Sequence, residues 1–221
     1  MPETAFELRS VTHGYARARN VLRNASLVCD PGARIGIVGP SGSGKTTLLG
    51  IAGLLIPPQE GSVVVAGREV HTERQASRLR REFIAWILQT TNVLGDRSAL
   101  DNVAVALVAR GADPARAQDI ASRALDRVGL TAASRDRARN LSGGELQRLA
   151  VARAMATQPS LLIADEPTAS LDAANRDMVV DSLFSNLPTQ TALLLASHDA
   201  ECYVHCDQLY ELRDGHLTRM A

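Results

Sequence analysis

Gly39-Pro40-Ser41-Gly42-Ser43-Gly44-Lys45-Thr46 has the spacing G-x-x-x-x-G-K-[ST], that of a phosphate-binding loop. Before it, Arg34-Ile35-Gly36-Ile37-Val38 is a short apolar run that reads as a buried strand; after it, residues 47–55 read as a helix. Strand, loop, helix is the context the motif requires. The glycines let successive backbone N–H groups turn inward as an anion nest, and the following helix N-terminus adds partial positive charge. Lys45 can reach the β- and γ-phosphates of a nucleotide, and the Thr46 hydroxyl can ligate Mg²⁺. Lys45 is also the only lysine in the chain; every other residue of that charge class is arginine. A compact ammonium suits a tight phosphate loop better than a planar guanidinium fork.

The chain has 221 residues, enough for one domain or a domain with a lobe. Its 45% hydrophobic and 3% aromatic content suits an α/β protein packed with Ala, Leu and Val. Twenty-four basic and 24 acidic side chains balance, so no global field favours nucleic acid. No apolar run approaches the roughly 20 residues that span a bilayer, and residues 1–19 do not resemble a secretory signal. Three cysteines without framework spacing suit a reducing cytoplasm.

In chain order, residues 6–11 alternate and are expected to form an edge strand, and residues 21–29 a second strand. Tyr15, between them, is either a stacking platform for an adenine ring or a packing residue. Pro57-Pro58 is expected to stop the loop's helix. A strand over 61–67, a charged helix over 73–82 and a buried strand over 84–88 follow. Gln89, just past that strand, is either a contact to Mg²⁺ or its waters, or an ordinary loop residue. Residues 94–140 turn helical: Ser98 and Asp101 have capping-box spacing, and Asp113-Pro114 opens a helix that Gly129 stops. This region reads as a helical lobe inserted between strands.

Leu141-Ser142-Gly143-Gly144-Glu145 opens a helix through Ala156. Ser142 and Glu145 fit a capping box, yet a box does not need two glycines, which cost helix stability up to ~1 kcal/mol each. N–H groups without Cβ cover suit an anion. Residues 161–164 read as a buried strand ending in Asp165-Glu166, where Asp165 can hold Mg²⁺ through water and Glu166 can polarise an attacking water. Ser170-Leu171-Asp172 leads into a helix to about residue 187. A last long buried strand over 191–196 ends at Ser197-His198-Asp199, which places His198 where phosphate-facing groups gather in open α/β sheets. Cys202 and Cys206 are read as packed thiols, not as zinc ligands. Residues 209–218 close the chain as a hairpin around Asp214-Gly215.

Taken in order, the phosphate loop, Gln89, Leu141 to Glu145, the strand ending in Asp165-Glu166, Ser170 to Asp172, and His198 resemble an ATP-binding-cassette ATPase over nearly the whole chain. The resemblance implies an α/β nucleotide-binding domain over 1–221: a mostly parallel P-loop core, an N-terminal antiparallel β lobe, and a helical lobe over about 94–140 extending into the helix after Ser142. It implies that ATP and Mg²⁺ are bound, with Glu166, His198, Lys45 and Gln89 catalytic. Gly39 to Thr47, with Tyr15, would hold the nucleotide. Thr46, Gln89 and Asp165 would hold the metal. Ser142, Gly143 and Gly144 would bind the γ-phosphate held by a second copy, with Asp172 communicating across that head-to-tail sandwich.

Residues 98–103 and 165–172 look like the subgroup serving macrolide-type efflux and lipoprotein release, although Leu146 stands where that subgroup often has glutamine. The implied function is ATP hydrolysis powering a separate membrane-spanning permease subunit, as a peripheral protein on the cytoplasmic face and with export suggested. An ATPase that flexes a membrane partner without moving substrate is the alternative. A soluble nucleic-acid ATPase is disfavoured, because that class usually carries a coiled-coil insertion or two cassettes.

Overall fold

The computed structural model describes residues 4–15, 21–169 and 171–220; Ser170, expected to begin the approach to a helix, lies outside them. In chain order the elements are β1 (Phe6–His13), β2 (Leu22–Cys29), β3 (Arg34–Val38), α1 (Lys45–Ala52), β4 (Glu60–Val65), β5 (Arg68–Glu69), α2 (Glu73–Phe83) and β6 (Ile84–Leu88). The helical region contributes α3 (Ala99–Val108), α4 (Pro114–Arg127) and α5 (Gly143–Ala156). Then come β7 (Leu161–Asp165), α6 (Ala173–Ser185), β8 (Ala192–Ala196), α7 (Ala200–Tyr203), β9 (Gln208–Arg213) and β10 (His216–Arg219). The chain divides into two compact units, one of residues 1–84, 160–165 and 189–221, the other of residues 85–159 and 166–188.

The first unit holds two sheets. One is antiparallel, in the order β2-β1-β4-β5. β1 is therefore an interior strand, which corrects the expectation of an edge. Its exposed positions face solvent on one side of a sheet that is paired on both flanks, so alternation reported a half-buried face and not an edge. The other sheet runs β10-β9-β3-β8-β7, with β3 parallel to both β8 and β9, and β7 parallel to β8. The β9–β10 hairpin turns at Asp214 and Gly215, both at positive φ, as a tight hairpin turn requires.

α1 lies between these sheets, touching β1 on one side and β7 and β8 on the other. That explains why it is apolar nearly all round: Leu48, Leu49, Ile51 and Ala52 are fully buried. It ends at Gly53, with Leu54 at φ 60°, three residues before Pro57. The chain has already left the helix when it reaches the prolines, so Gly53 and not the Pro pair is the stop.

In the second unit α3, α4 and α5 pack on one another, and α6 packs on α5. The buried faces of α3 and α4 are built mainly from alanine, valine and leucine, which lets the helices approach closely. Ser98 accepts the Asp101 N–H, the backbone half of the expected capping box. Asn102, fully buried, stitches the loop before α3 by accepting the Leu94 N–H and donating to the Leu94 and Ser98 carbonyls. No helix among the described residues is long and apolar enough to cross a membrane.

Candidate functional site

In the first unit the parallel sheet gathers the expected phosphate-facing groups at one edge. Ala196 is paired with Ile37 on one side and with Asp165 on the other, so the C-terminal ends of β3, β8 and β7 stand level. The loop from Gly39 to Thr46 leaves the first, His198 follows the second by two residues, and Asp165 ends the third. This is the carboxyl edge of an open α/β sheet, where ligands bind.

Within the loop, Gly39, Gly42 and Gly44 all have positive φ (150°, 78° and 104°). Gly39 is also sterically obligatory, since a Cβ there would stand 2.3 Å from the Leu212 carbonyl oxygen. Pro40 and Ser41 lie between, on the loop's outer turn, where the Ser43 N–H closes back on the Pro40 carbonyl. The Lys45 ammonium bridges the loop, donating to the Gly39 and Pro40 carbonyls at 2.8 and 3.2 Å. Ser43 Oγ is buried and has no hydrogen-bond partner among the described residues. Such a hydroxyl normally finds one.

The start of α1 carries the same message. Its N-cap is Gly44, no side chain caps it, and no acidic residue sits in its first turn. Every other α-helix among the described residues has a side-chain cap, from Thr72, Ser98, Asp113, Ser142, Asp172 and Asp199 in turn. A helix start with free N–H groups, partial positive charge and an orphaned hydroxyl beside it fits a multiply charged oxyanion such as a nucleotide's phosphates. Thr46 is exposed on the first turn. Among the described residues no three His, Cys, Asp or Glu side chains cluster as a self-sufficient metal site. The donor set of Thr46 and Asp165 instead fits an Mg²⁺ that takes its remaining ligands from phosphate and water.

Tyr15, two residues past the end of β1, is 51% exposed. Sequence reading missed what aims it. Gln59 clamps the preceding residue, accepting the Gly14 N–H at 3.0 Å and donating to the Gly14 carbonyl at 2.9 Å. The buried ring of His13 meets the Tyr15 ring edge-on, with centroids 5.3 Å apart, and the Tyr15 hydroxyl lies 3.3 Å from that of Thr47. No local pattern marks Gln59, whose partner is 45 residues away. His198 is likewise framed: the Ser197 hydroxyl accepts the Asp199 N–H, and the Tyr203 hydroxyl donates to the Ser197 carbonyl. Cys202 is buried, and burial pushes the Cys206 thiol up to about 12, so Cys206 packs as a neutral thiol.

The second unit carries the other residues. Gln89 is exposed directly after β6. Glu166 sits at φ 48°, in the left-handed region that a non-glycine residue rarely adopts, and opens a turn closed by the Ala169 N–H on its carbonyl. At α5 the capping box is complete: the Ser142 N–H and hydroxyl both donate to Glu145, at 2.8 and 2.7 Å, and the Glu145 N–H returns to the Ser142 hydroxyl. The Ser142 hydroxyl bond, with the backbone bond second, holds the Glu145 carboxyl below its usual range.

The two glycines then separate. Gly143 is exposed and open, since a Cβ added there would meet nothing nearer than 3.8 Å, whereas Gly144 is buried against Asn175. Asn175 in turn bonds Asp172, its N–H to one carboxylate oxygen and its Nδ2 to the other, both at 2.9 Å. Those bonds, the backbone one first, lower the Asp172 pKa. Asp172 thus both caps α6 and fixes the side chain that fills the space beside Gly144.

Comparison with known proteins agrees with this geometry. A family model described as ABC transporter matches residues 22–169. The "Lipoprotein-releasing system ATP-binding protein LolD" of Alcanivorax borkumensis is 40% identical over 203 residues, covering 90% of this chain and 89% of that protein. Its namesake in Hyphomonas neptunium is 37% identical, covering 98% of each. Among solved structures, the dimeric post-hydrolysis state of the ATP-binding cassette MJ0796 bound to ADP and Pi aligns with a TM-score of 0.86 at 30% identity, over 96% of both chains.

Proposed function

The chain belongs to the ABC transporter family as an ATP-binding, ATP-hydrolysing subunit, and from that premise we propose that it drives a separate membrane-spanning partner by closing on ATP with a second copy of itself. The observation that carries the reading is the start of α1: a complete phosphate loop, bridged by the chain's sole lysine, leading into a helix that no side chain caps.

The roles follow from the chemistry of each group. The loop's N–H groups and the Lys45 ammonium take the nucleotide's phosphates, and Tyr15 offers its ring face to the adenine. Glu166 accepts a proton from the attacking water while His198 donates toward the phosphoryl group being transferred. Gln89 orients water. Thr46 and Asp165, with Gln89, would hold Mg²⁺, which when bound supplies charge neutralisation on the phosphate oxygens. Preorganised charge of this kind is the largest contribution expected for phosphoryl transfer.

The names of the LolD relatives support a finer assignment, lipoprotein release at the membrane as the work powered by this subunit. The cassette would sit peripherally on the cytoplasmic face, bound through its partner. The test is phosphate release from Mg-ATP by the purified chain and by its Glu166→Gln variant, followed by release of a lipid-anchored protein from vesicles holding the co-purified membrane partner. Hydrolysis lost in the variant with ATP binding kept supports the catalytic reading. Hydrolysis unaffected by the substitution overturns it, and full hydrolysis without lipoprotein release overturns the finer assignment alone.

A further inference from the structure

In the second unit, α3, α4 and α5 line an open cleft of about 620 Å³ that shares no residue with the nucleotide-binding groups. Its lining carries Arg110, Arg116, Arg123 and Arg127 against one acid, Asp113. The chain as a whole is neutral, so this excess is local. Asp113 is already engaged as the N-cap of α4, accepting the Ala115 and Arg116 N–H groups at 3.0 and 3.2 Å.

Arg116, Arg123 and Arg127 recur at seven- and four-residue spacing, so they share one face of α4, and all three are exposed. None of them forms an ion pair among the described residues. Arg110 lies deeper, half-buried, and donates to the Thr157 carbonyl at 2.7 Å, with burial holding its pKa below the usual value. Leu107, Val128 and Met155, all buried, form an apolar floor. Like charges brought to one cleft repel unless an anion joins them, and guanidinium forks match phosphate oxygens bidentately.

We propose that this cleft binds an anion bearing clustered phosphate oxygens, a free oligophosphate or the headgroup of an acidic lipid, gripped by Arg116, Arg123 and Arg127. Three guanidinium groups lining one cleft favour a compact multivalent anion over an acidic protein segment, whose carboxylates are spread along a chain. The cleft's volume lies in the range of small-molecule sites and exceeds the need of a single phosphate.

The test uses the full chain carrying Lys45→Ala, which weakens the phosphate loop's own grip. Pyrophosphate and a glutamate-rich peptide are titrated by calorimetry, and sedimentation is run in parallel with phosphatidylcholine vesicles with and without cardiolipin, whose headgroup carries two phosphates. Pyrophosphate binding identifies a free anion as ligand; binding only to the acidic vesicles identifies the headgroup. In either case Arg116→Gln with Arg123→Gln weakens binding about tenfold or more, since two charge-assisted contacts are removed. Glutamine keeps the helix, and the same pair in the otherwise unaltered chain leaves the ATPase rate unchanged. No binding in either assay, binding indifferent to the arginine pair, or binding of a glutamate-rich peptide alone overturns the proposal. Because the readout is binding, loss of the ATPase reading would leave it standing.

Discussion

A Cβ on Gly144 would stand 2.2 Å from Asn175 Oδ1, 2.7 Å from its Cγ and 3.0 Å from its Cβ. The whole carboxamide, not just its tip, occupies the space that a side chain at 144 would need. Two bonds to Asp172 hold that carboxamide in place.

Gly144→Ala therefore sets a helix-propensity gain of up to ~1 kcal/mol against an overpacking cost of ~1–3 kcal/mol, and the cost wins. Gly143→Ala has the gain without the clash. Denaturant unfolding should show the first variant destabilised and the second unchanged or stabilised. Adding Asn175→Ala to Gly144→Ala frees the space, so the two losses should be less than additive. Strict additivity would mean that the contact carries no energy.

The glycine pair also shows what a sequence can and cannot disclose. Both glycines read as anion-facing, yet Gly144 has a packing reason that depends on Asn175 in α6, well beyond any local pattern. Contacts of that kind have no local signature, and the Gln59 clamp behind Tyr15 is another. Local chemistry was legible: the phosphate loop, the Asp113-Pro114 start of α4, the Ser142–Glu145 box and the turn at Asp214-Gly215 all depend on neighbours a few residues away. The placement of β1 inside its sheet was not, because an interior strand with one wet face alternates just as an edge strand does. Left-handed Glu166 was also invisible, since backbone strain is imposed by the surrounding fold.

Lys45→Ala should remove the ATPase activity, by ~10²–10³ in rate, because it deletes a preorganised charge on the transferred phosphoryl group. It also deletes the bridge to the Gly39 and Pro40 carbonyls, so nucleotide affinity should fall with it. A variant hydrolysing ATP within a few-fold of the parent would remove the loop from the site.

Tyr15 separates face from hydroxyl. Tyr15→Phe loses only a 3.3 Å contact to Thr47 and should bind ATP within a few-fold of the parent. Tyr15→Ala removes the platform and should bind it several-fold more weakly. Nucleotide titration followed by fluorescence distinguishes them, and equal losses would assign the role to the hydroxyl.

The Glu145 cap gives a pH dependence with a definite sign. Its carboxyl is held below the ordinary range in the folded chain, so its stabilisation is complete above the unfolded value, about pH 4, and is lost as pH falls through the lower folded value. Glu145→Ala should lower the thermal midpoint at pH 7 by roughly 2–4 °C, the size of a lost cap of ~1 kcal/mol in a chain of this length. That gap should narrow steadily on acidification below about pH 4. A gap constant across that range would show that charge is not what Glu145 contributes.

The proposed closure on ATP makes the final demand on the same α5 terminus. In the chain by itself the Ser142 hydroxyl donates to Glu145, so a γ-phosphate presented by a second copy must draw that proton away. Gly143, open and without a side chain, can offer its N–H to the same phosphate with nothing in the way. Two copies related by a two-fold axis would each complete the other's nucleotide site, an isologous arrangement. Each bound γ-phosphate then lies between two helix N-termini and holds the copies together. Hydrolysis removes the link, so the dimer should be short-lived in the active chain and persistent when Glu166→Gln leaves ATP uncleaved. Light scattering should find that variant monomeric without nucleotide and dimeric with ATP. Ser142→Arg should return it to monomer, because the larger side chain fills the approach to the Gly143 N–H. A mass unchanged by ATP, in the isolated chain and again with the membrane partner present, would refute the shared site while leaving ATP binding by the phosphate loop intact.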